Sequence, residues 1–161
     1  MRAIGKDTYA MSNPALGSVL LWQFAKSYEK GTRTGPPLSL CFVVLPIVMS
    51  RTTVKTLAGT NARTGFLTWL ARHPELTLQL AARVDDTKDL TGEALRFGIV
   101  YRIFTVRDDG SLTADSAAIS LSKQESGLDE RVTMLRVASH LGRWMSNLPE
   151  ATVFYSLGMT P

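Results

Sequence analysis

The first apolar segment of the chain has the pattern of a helix that begins after Asn13 and ends near Gly31. The Asn13 side chain can accept a hydrogen bond from an amide of the first turn, and Pro14 suits the first helical position. The apolar positions that follow are Leu16, Val19, Leu20, Trp22 and Phe24. They span a face wider than the stripe of a simple amphipathic helix. This helix must therefore be covered, either by its own domain or by another chain.

The longest apolar run, residues 40–49, is compatible with a strand or with a buried helix. Pro46 argues against a central strand because proline cannot donate a hydrogen bond to a neighbouring strand, and it also disturbs a helix interior. We favour a helix that kinks or ends near Pro46 and continues through residues 50–59. The preceding residues 31–37 are rich in glycine and proline and predict a loop.

The middle of the chain predicts short helices followed by a hairpin. Residues 64–74 and 75–82 place apolar side chains at helical spacing, and residues 84–106 predict a helix that passes into a strand. The Asp-Asp-Gly turn at residues 108–110 has alternating apolar and polar residues on both sides, which is the pattern of a β-hairpin.

The last third of the chain contains a clear helical repeat. Apolar residues recur about every 3.5 positions over residues 128–145, after a polar loop at residues 122–130. Residues 151–161 are apolar and are expected to be extended or briefly helical. We therefore predict a mainly α (α+β) fold, a compact helical domain with one β-hairpin that resembles a winged helix. This single domain spans residues 13–161 and follows an N-terminal extension, residues 1–12.

Composition and charge fit a folded intracellular protein. The 161 residues are 45% hydrophobic and 20% charged, which is ordinary globular composition. Cys41 is the single cysteine, so no intramolecular disulfide can form. The first twelve residues lack the apolar run of a signal peptide, and residues 40–49 are too short to span a bilayer. We expect a soluble, cytoplasmic protein.

Charge is distributed unevenly within the net charge of +4. Residues 1–84 carry a balance of +7, whereas residues 85–130 carry −5. Opposed charge along the chain favours oriented contacts with a complementary partner, although a solvated surface explains the same pattern.

Catalytic signals are weak. The chain lacks the glycine-rich phosphate loop of nucleotide-binding proteins, and its two histidines, His73 and His140, with one cysteine cannot supply the ligands of a structural zinc site. Cys41 lies in an apolar run, where a thiol usually serves packing rather than catalysis. We expect no catalytic residue and no cofactor.

A group of carboxylates could bind Mg²⁺ through oxygen ligands alone. Its members are Asp85, Asp86, Asp89 and Glu93. Such a group more often lies at a solvated helix start, where Asp89 or Thr91 would serve as the cap. We therefore expect no metal site.

Nucleic-acid binding is the main alternative to a purely protein-binding role. Arg51, Lys55, Arg63 and Arg72 lie among serine, threonine and asparagine residues suited to phosphate contact. The predicted order of elements, several helices followed by a hairpin, is also that of a winged helix, in which residues 106–113 would form the wing. The two aspartates of the turn would, however, repel a phosphate backbone, so this scaffold fits protein contact better.

The order of these segments resembles a known family, the middle component of three-component ABC systems. The resemblance is carried by five stretches: "NPALGSVLLWQFAKSY", "PLSLCFVVLPIVM" with the basic Thr-rich segment after it, "TGFLTWLA", "FTVRDDGSLT" and "HLGRWMSNLPEATVFYSLGMTP". It extends over residues 13–161 and leaves residues 1–12 outside. It includes no catalytic signature, and no catalytic residue is carried over from the family.

The resemblance implies a small accessory subunit of a bacterial conflict system. It would be placed between a coiled-coil ABC-type ATPase and a larger, effector-bearing subunit, in defence against phage and mobile elements. The predicted function is thus a non-enzymatic adaptor, and the alternative is a winged-helix DNA-binding regulator that contacts DNA directly or through the complex. The predicted partner-binding residues are Trp22, Phe154 and Tyr155, because aromatic side chains are enriched at interfaces.

Overall fold

The chain is built mainly from helices, as its apolar spacing predicts. The computed structural model describes residues 13–57, 59–120 and 130–160. These contain seven helices and one two-stranded antiparallel sheet, so the predicted mainly α fold with a small β part is confirmed. In chain order the elements are α1 (Pro14–Thr32), α2 (Leu38–Val48), α3 (Arg51–Thr56), α4 (Phe66–Arg72), α5 (Glu75–Val100), β1 (Phe104–Val106), β2 (Leu112–Ala114), α6 (Glu130–Ser146) and α7 (Glu150–Ser156).

Helix α1 lies at the centre of the fold and is covered by other parts of the same chain. It packs against α6 along one side and against α5, α2 and β2 along others. Leu20, Leu21 and Phe24 are completely buried as a result. The hydroxyl of Ser27 donates a hydrogen bond of 2.6 Å to the carbonyl oxygen of Ser139 and thereby joins α1 to α6. Self-coverage thus accounts for the wide apolar face of α1.

The cap predicted for α1 is present. The Asn13 side-chain oxygen accepts a 2.9 Å hydrogen bond from the Ala15 amide, and Pro14 begins the helix. We expect Asn13→Ala to lower the free energy of unfolding by about 1 kcal/mol, since the amide loses its partner. Urea denaturation followed by circular dichroism measures this loss. Asn13→Ser, which keeps an acceptor, should unfold within a few tenths of a kcal/mol of the parent, and equal losses in both variants would contradict the assignment.

The apolar run around Pro46 forms a helix, as favoured from the sequence. Eight of the eleven residues of α2 are buried, so the helix needs no polar face. Pro46 occupies its last turn, and the chain leaves the helix two residues later. Ser50 then starts α3 by accepting a 3.2 Å hydrogen bond from the Thr53 amide. The predicted continuation is therefore a second, short helix.

Helix α5 is one continuous element where the sequence predicted two pieces. No proline or glycine interrupts residues 75–91, and Lys88 donates a 2.8 Å hydrogen bond to Asp85 one turn earlier. The prediction that Asp89 or Thr91 caps a helix is wrong. Both lie inside α5, where the buried Thr91 hydroxyl donates to the Thr87 carbonyl at 3.1 Å.

The predicted hairpin is confirmed, with the turn where Asp-Asp-Gly placed it. Gly110 adopts φ +80°, which glycine tolerates without strain. β1 pairs with β2 antiparallel, and the amide of Leu112 also donates a 2.8 Å hydrogen bond to the Pro36 carbonyl. The hairpin packs on α1 and α5, and the Phe104 ring lies directly against Gly98 of α5.

The apolar C-terminal segment forms helix α7, one of the two alternatives predicted for it. The polar loop predicted at residues 122–130 lies almost entirely outside the described residues, as does the extension at residues 1–12. The winged-helix interpretation stays a prediction. Among the described helices none combines the length and the apolar character needed to cross a membrane.

Candidate interaction surfaces

The three aromatic residues predicted to bind a partner lie in different environments. Trp22 is 1% exposed, and its indole N–H donates a 2.7 Å hydrogen bond to the carbonyl oxygen of Asp115. Phe154 is 5% exposed and also belongs to the core. Tyr155 is 67% exposed, so its side chain reaches solvent. Of these three residues, Tyr155 is accessible to a partner, whereas Trp22 and Phe154 are covered by this chain itself.

The C-terminal end of α5 carries an exposed apolar surface that the sequence analysis did not single out. Val100 and Tyr101 are 73% and 66% exposed, and Ile99 is about half exposed. The Tyr101 ring lies 4.4 Å from the ring of Phe97, which holds it against the helix. We call Ile99, Val100 and Tyr101 the α5 patch.

Local geometry explains why the α5 patch faces solvent. The inward side of this helix end is Gly98, against which the Phe104 ring packs, so the neighbouring side chains point elsewhere. The chain then reverses through Arg102, a non-glycine residue with φ +56°. A sequence signal was available, because three consecutive apolar residues at a helix end cannot all share the one buried face.

The predicted nucleic-acid-binding residues are divided between two places. Arg51 and Lys55 lie on α3, beside the start of α6, where the Arg51 Nε donates a 2.9 Å hydrogen bond to Glu130. Arg63 lies in the loop before α4, and Arg72 ends α4; both are exposed.

Helix α6 adds two arginines that the sequence analysis missed. Arg136 and Arg143 are exposed, and His140 lies between them on the same side of the helix. Partial burial is the main cause that lowers the pKa of His140, and the nearby guanidinium groups of Arg136 and Arg143 lower it further. Arg63 lies near the C-terminal end of α6, because it lines a hollow together with Trp144 and Asn147. We call Arg63, Arg136, His140 and Arg143 the α6 basic face.

The residues weighed for catalysis are not assembled into one site. Cys41 is completely buried, and burial raises the pKa of its thiol to about 12, so the thiol stays protonated at neutral pH. His73 Nδ1 lies 3.4 Å from a carboxylate oxygen of Glu75 at the start of α5. Within the described ranges, no three His, Cys, Asp or Glu side chains converge as they would around a metal ion.

A cleft of about 460 Å³ opens between the α2–α3 junction and α5. Pro46, Met49 and Leu90 form its apolar lining, and Arg83 and Asp86 contribute charged groups. The Arg83 guanidinium donates to the hydroxyl of Ser50, the residue that caps α3. Arg83 therefore joins α5 to the α2–α3 junction.

Comparison with known protein families gives a match. A family model, ABC-three component (ABC-3C) system Middle Component 3, matches residues 1–161, the whole chain, and so includes the residues 1–12 that lay outside the resemblance. No curated protein and no solved structure matches. The protein belongs to the family of ABC-3C system middle component 3 proteins.

Proposed function

We propose that this chain is a non-enzymatic adaptor that connects a coiled-coil ABC-type ATPase with an effector-bearing subunit of its ABC-3C system. The complex would act in the bacterial cytoplasm, in defence against phage and mobile elements. Membership of a multi-component system implies other subunits, which supports a role in assembly. The structural observation that carries the proposal is the α5 patch.

The α5 patch has the chemistry of an interface centre. A tyrosine with two branched aliphatic neighbours offers a large apolar area that association would remove from water. Tyrosine is also enriched among the residues that contribute most to binding energy. The Tyr101 ring packs against the Phe97 ring, with centroids 4.4 Å apart, and this contact reduces the side-chain entropy that binding would cost. The patch thus offers a partner a preformed aromatic anchor.

The adaptor role predicts that a double variant of the α5 patch separates the chain from the complex. We expect Val100→Ser with Tyr101→Ser to reduce co-purification with the ATPase or the effector-bearing subunit by about tenfold or more, as loss of an interface anchor does. The measurement is a pull-down of the tagged full chain after co-expression with the proteins encoded beside it, quantified for each subunit.

Leu78→Ser is the matched control for this experiment. Leu78 lies on the same helix and is 85% exposed, but it belongs to the first turns of α5, far along the helix from the patch. It should leave co-purification unchanged. Tyr155→Ser, in the same assay, tests the exposed member of the three predicted aromatic residues. Unchanged recovery of every subunit with the double variant would refute the patch as the docking site.

The non-enzymatic part of the proposal has its own test. The purified full chain should not hydrolyse ATP or GTP, whereas the assembled complex that contains the ATPase should. Nucleotide turnover by the isolated chain that survives repeated purification would overturn this part and leave the docking assignment standing.

A further inference from the structure

The α6 basic face carries three exposed arginines. Within the described residues, the side chains of Arg63, Arg136 and Arg143 form no ion pair with a carboxylate. Arg136 and Arg143 lie two helical turns apart, with His140 between them. Arg51 differs, because its guanidinium is held by Glu130.

The charge extends beyond α6 to the elements beside it. Trp144 of α6 packs against Trp69 of α4, with ring centroids 6.0 Å apart, and the Trp69 indole donates a 2.9 Å hydrogen bond to Thr56 of α3. Helices α3 and α4 therefore border α6. In the sequence, residues 51–73 and 130–149 contain seven lysines and arginines and one acidic residue, Glu130.

We propose that the α6 basic face binds the sugar-phosphate backbone of duplex DNA without reading its sequence. The seventeen residues of α6 span about 25 Å, and a duplex presents one negative charge per about 1.7 Å of its axis. Arginine, which supplies all three permanent cations of the face, binds phosphate oxygens in a bidentate fork. The face thus matches a long, dense line of phosphates.

Duplex DNA fits this face better than single-stranded nucleic acid does. Proteins that bind single strands stack bases on exposed aromatic side chains. The aromatic residues around this face, Phe66, Trp69 and Trp144, are instead buried against one another. The aspartates of the hairpin turn belong to a hairpin whose main contacts are with α1 and α5. Binding would therefore occur without the hairpin as a wing.

The proposal is tested by fluorescence anisotropy with the full chain and a labelled 25-base-pair duplex of random sequence. We expect the affinity to fall with salt, the logarithmic slope changing by about 0.9 for each phosphate contact. Arg136→Gln with Arg143→Gln should weaken binding by about tenfold or more at 50 mM salt and reduce the slope by about two. Arg63→Gln should weaken it by a smaller factor, and Arg51→Gln least, because Glu130 already neutralises it.

The matched control is Arg96→Gln with Arg107→Gln. It removes the same net charge from exposed arginines of α5 and the hairpin, outside the α6 basic face. Binding should survive in this control, and circular dichroism should show both double variants folded. An equal loss in the control would overturn the proposal, as would no binding to duplex at 50 mM salt. Equal affinity for a single strand of the same length, or for poly-glutamate, would also overturn the proposal, because the face would then bind polyanions in general rather than duplex DNA. None of these outcomes depends on the α5 patch.

Discussion

Replacing Gly142 with alanine is expected to destabilise the protein by about 3 kcal/mol, although alanine favours helices by about 1 kcal/mol over glycine. Gly142 is a point where α6 packs closely against the backbone of α1. An added Cβ would lie 2.5 Å from the Phe24 carbonyl oxygen, 2.9 Å from the Ser27 Cβ and 3.0 Å from the Tyr28 amide nitrogen. Two of these three atoms belong to the backbone, so the two central helices would have to separate.

The control for this change is the same substitution at a glycine with free space. Gly92 lies in the interior of α5, and an added Cβ there would meet no atom within 4 Å. Gly92→Ala should therefore raise the free energy of unfolding by roughly 0.5–1 kcal/mol. Urea denaturation of both variants measures the expected decrease in the free energy of unfolding for Gly142→Ala and the expected increase for Gly92→Ala. A Gly142→Ala protein as stable as the parent would contradict the close α1–α6 contact.

The elements that the sequence predicted correctly are those with local signals. The start of α1 depends on a side chain and an amide two residues apart, Asn13 and Ala15. The hairpin depends on a turn in which one glycine, Gly110, supplies the positive φ. The apolar repeat of α6 is contained within a single element. Each of these signals involves residues that are close in the sequence. It therefore predicts the local structure without information on which elements pack together.

The features that the sequence could not supply depend on distant partners. Trp22 and Tyr155 are both aromatic residues in helices, yet only Trp22 is buried, and its indole N–H donates to the carbonyl oxygen of Asp115, 93 residues later. The continuity of α5 was missed for another reason. Its acidic middle has the composition of a helix start, although Asp85 is paired with Lys88 in the helix interior.

The basic residues show the same limit. Arg51 and Arg63 are close in the chain, so the sequence predicts a single nucleic-acid-binding segment that contains both. The fold separates them: Arg51 pairs with Glu130 at the start of α6, while Arg63 joins Trp144 near its end. Arg143, which completes the face, is 80 positions away from Arg63 in the chain. No local pattern links such residues, so an electrostatic surface appears only once the helices are packed.

Trp22→Ala is expected to have the largest effect of any single truncation of the predicted aromatic residues. We expect a loss of about 3–5 kcal/mol in the free energy of unfolding, because removal of a buried indole leaves a cavity between α1 and its neighbours. The hydrogen bond from the indole to Asp115 is lost as well. Thermal and urea unfolding measure the loss. Tyr155→Ala is the control. Because that side chain is 67% exposed, the free energy of unfolding of this variant should differ from that of the parent by about 0.5 kcal/mol or less.

A second variant distinguishes a stabilising role of Trp22 from a role in docking. Trp22→Phe keeps the six-membered ring and removes the N–H donor with the five-membered ring, at a cost of about 2 kcal/mol. Because Asp115 is exposed, water can take the place of the indole at its carbonyl oxygen. This variant should fold and co-purify with the other subunits as the parent does, while Trp22→Ala loses both stability and recovery. If Trp22→Phe is stable but no longer recovers its partners, the indole contacts a partner directly, and the burial of Trp22 in this chain alone does not describe the assembled complex.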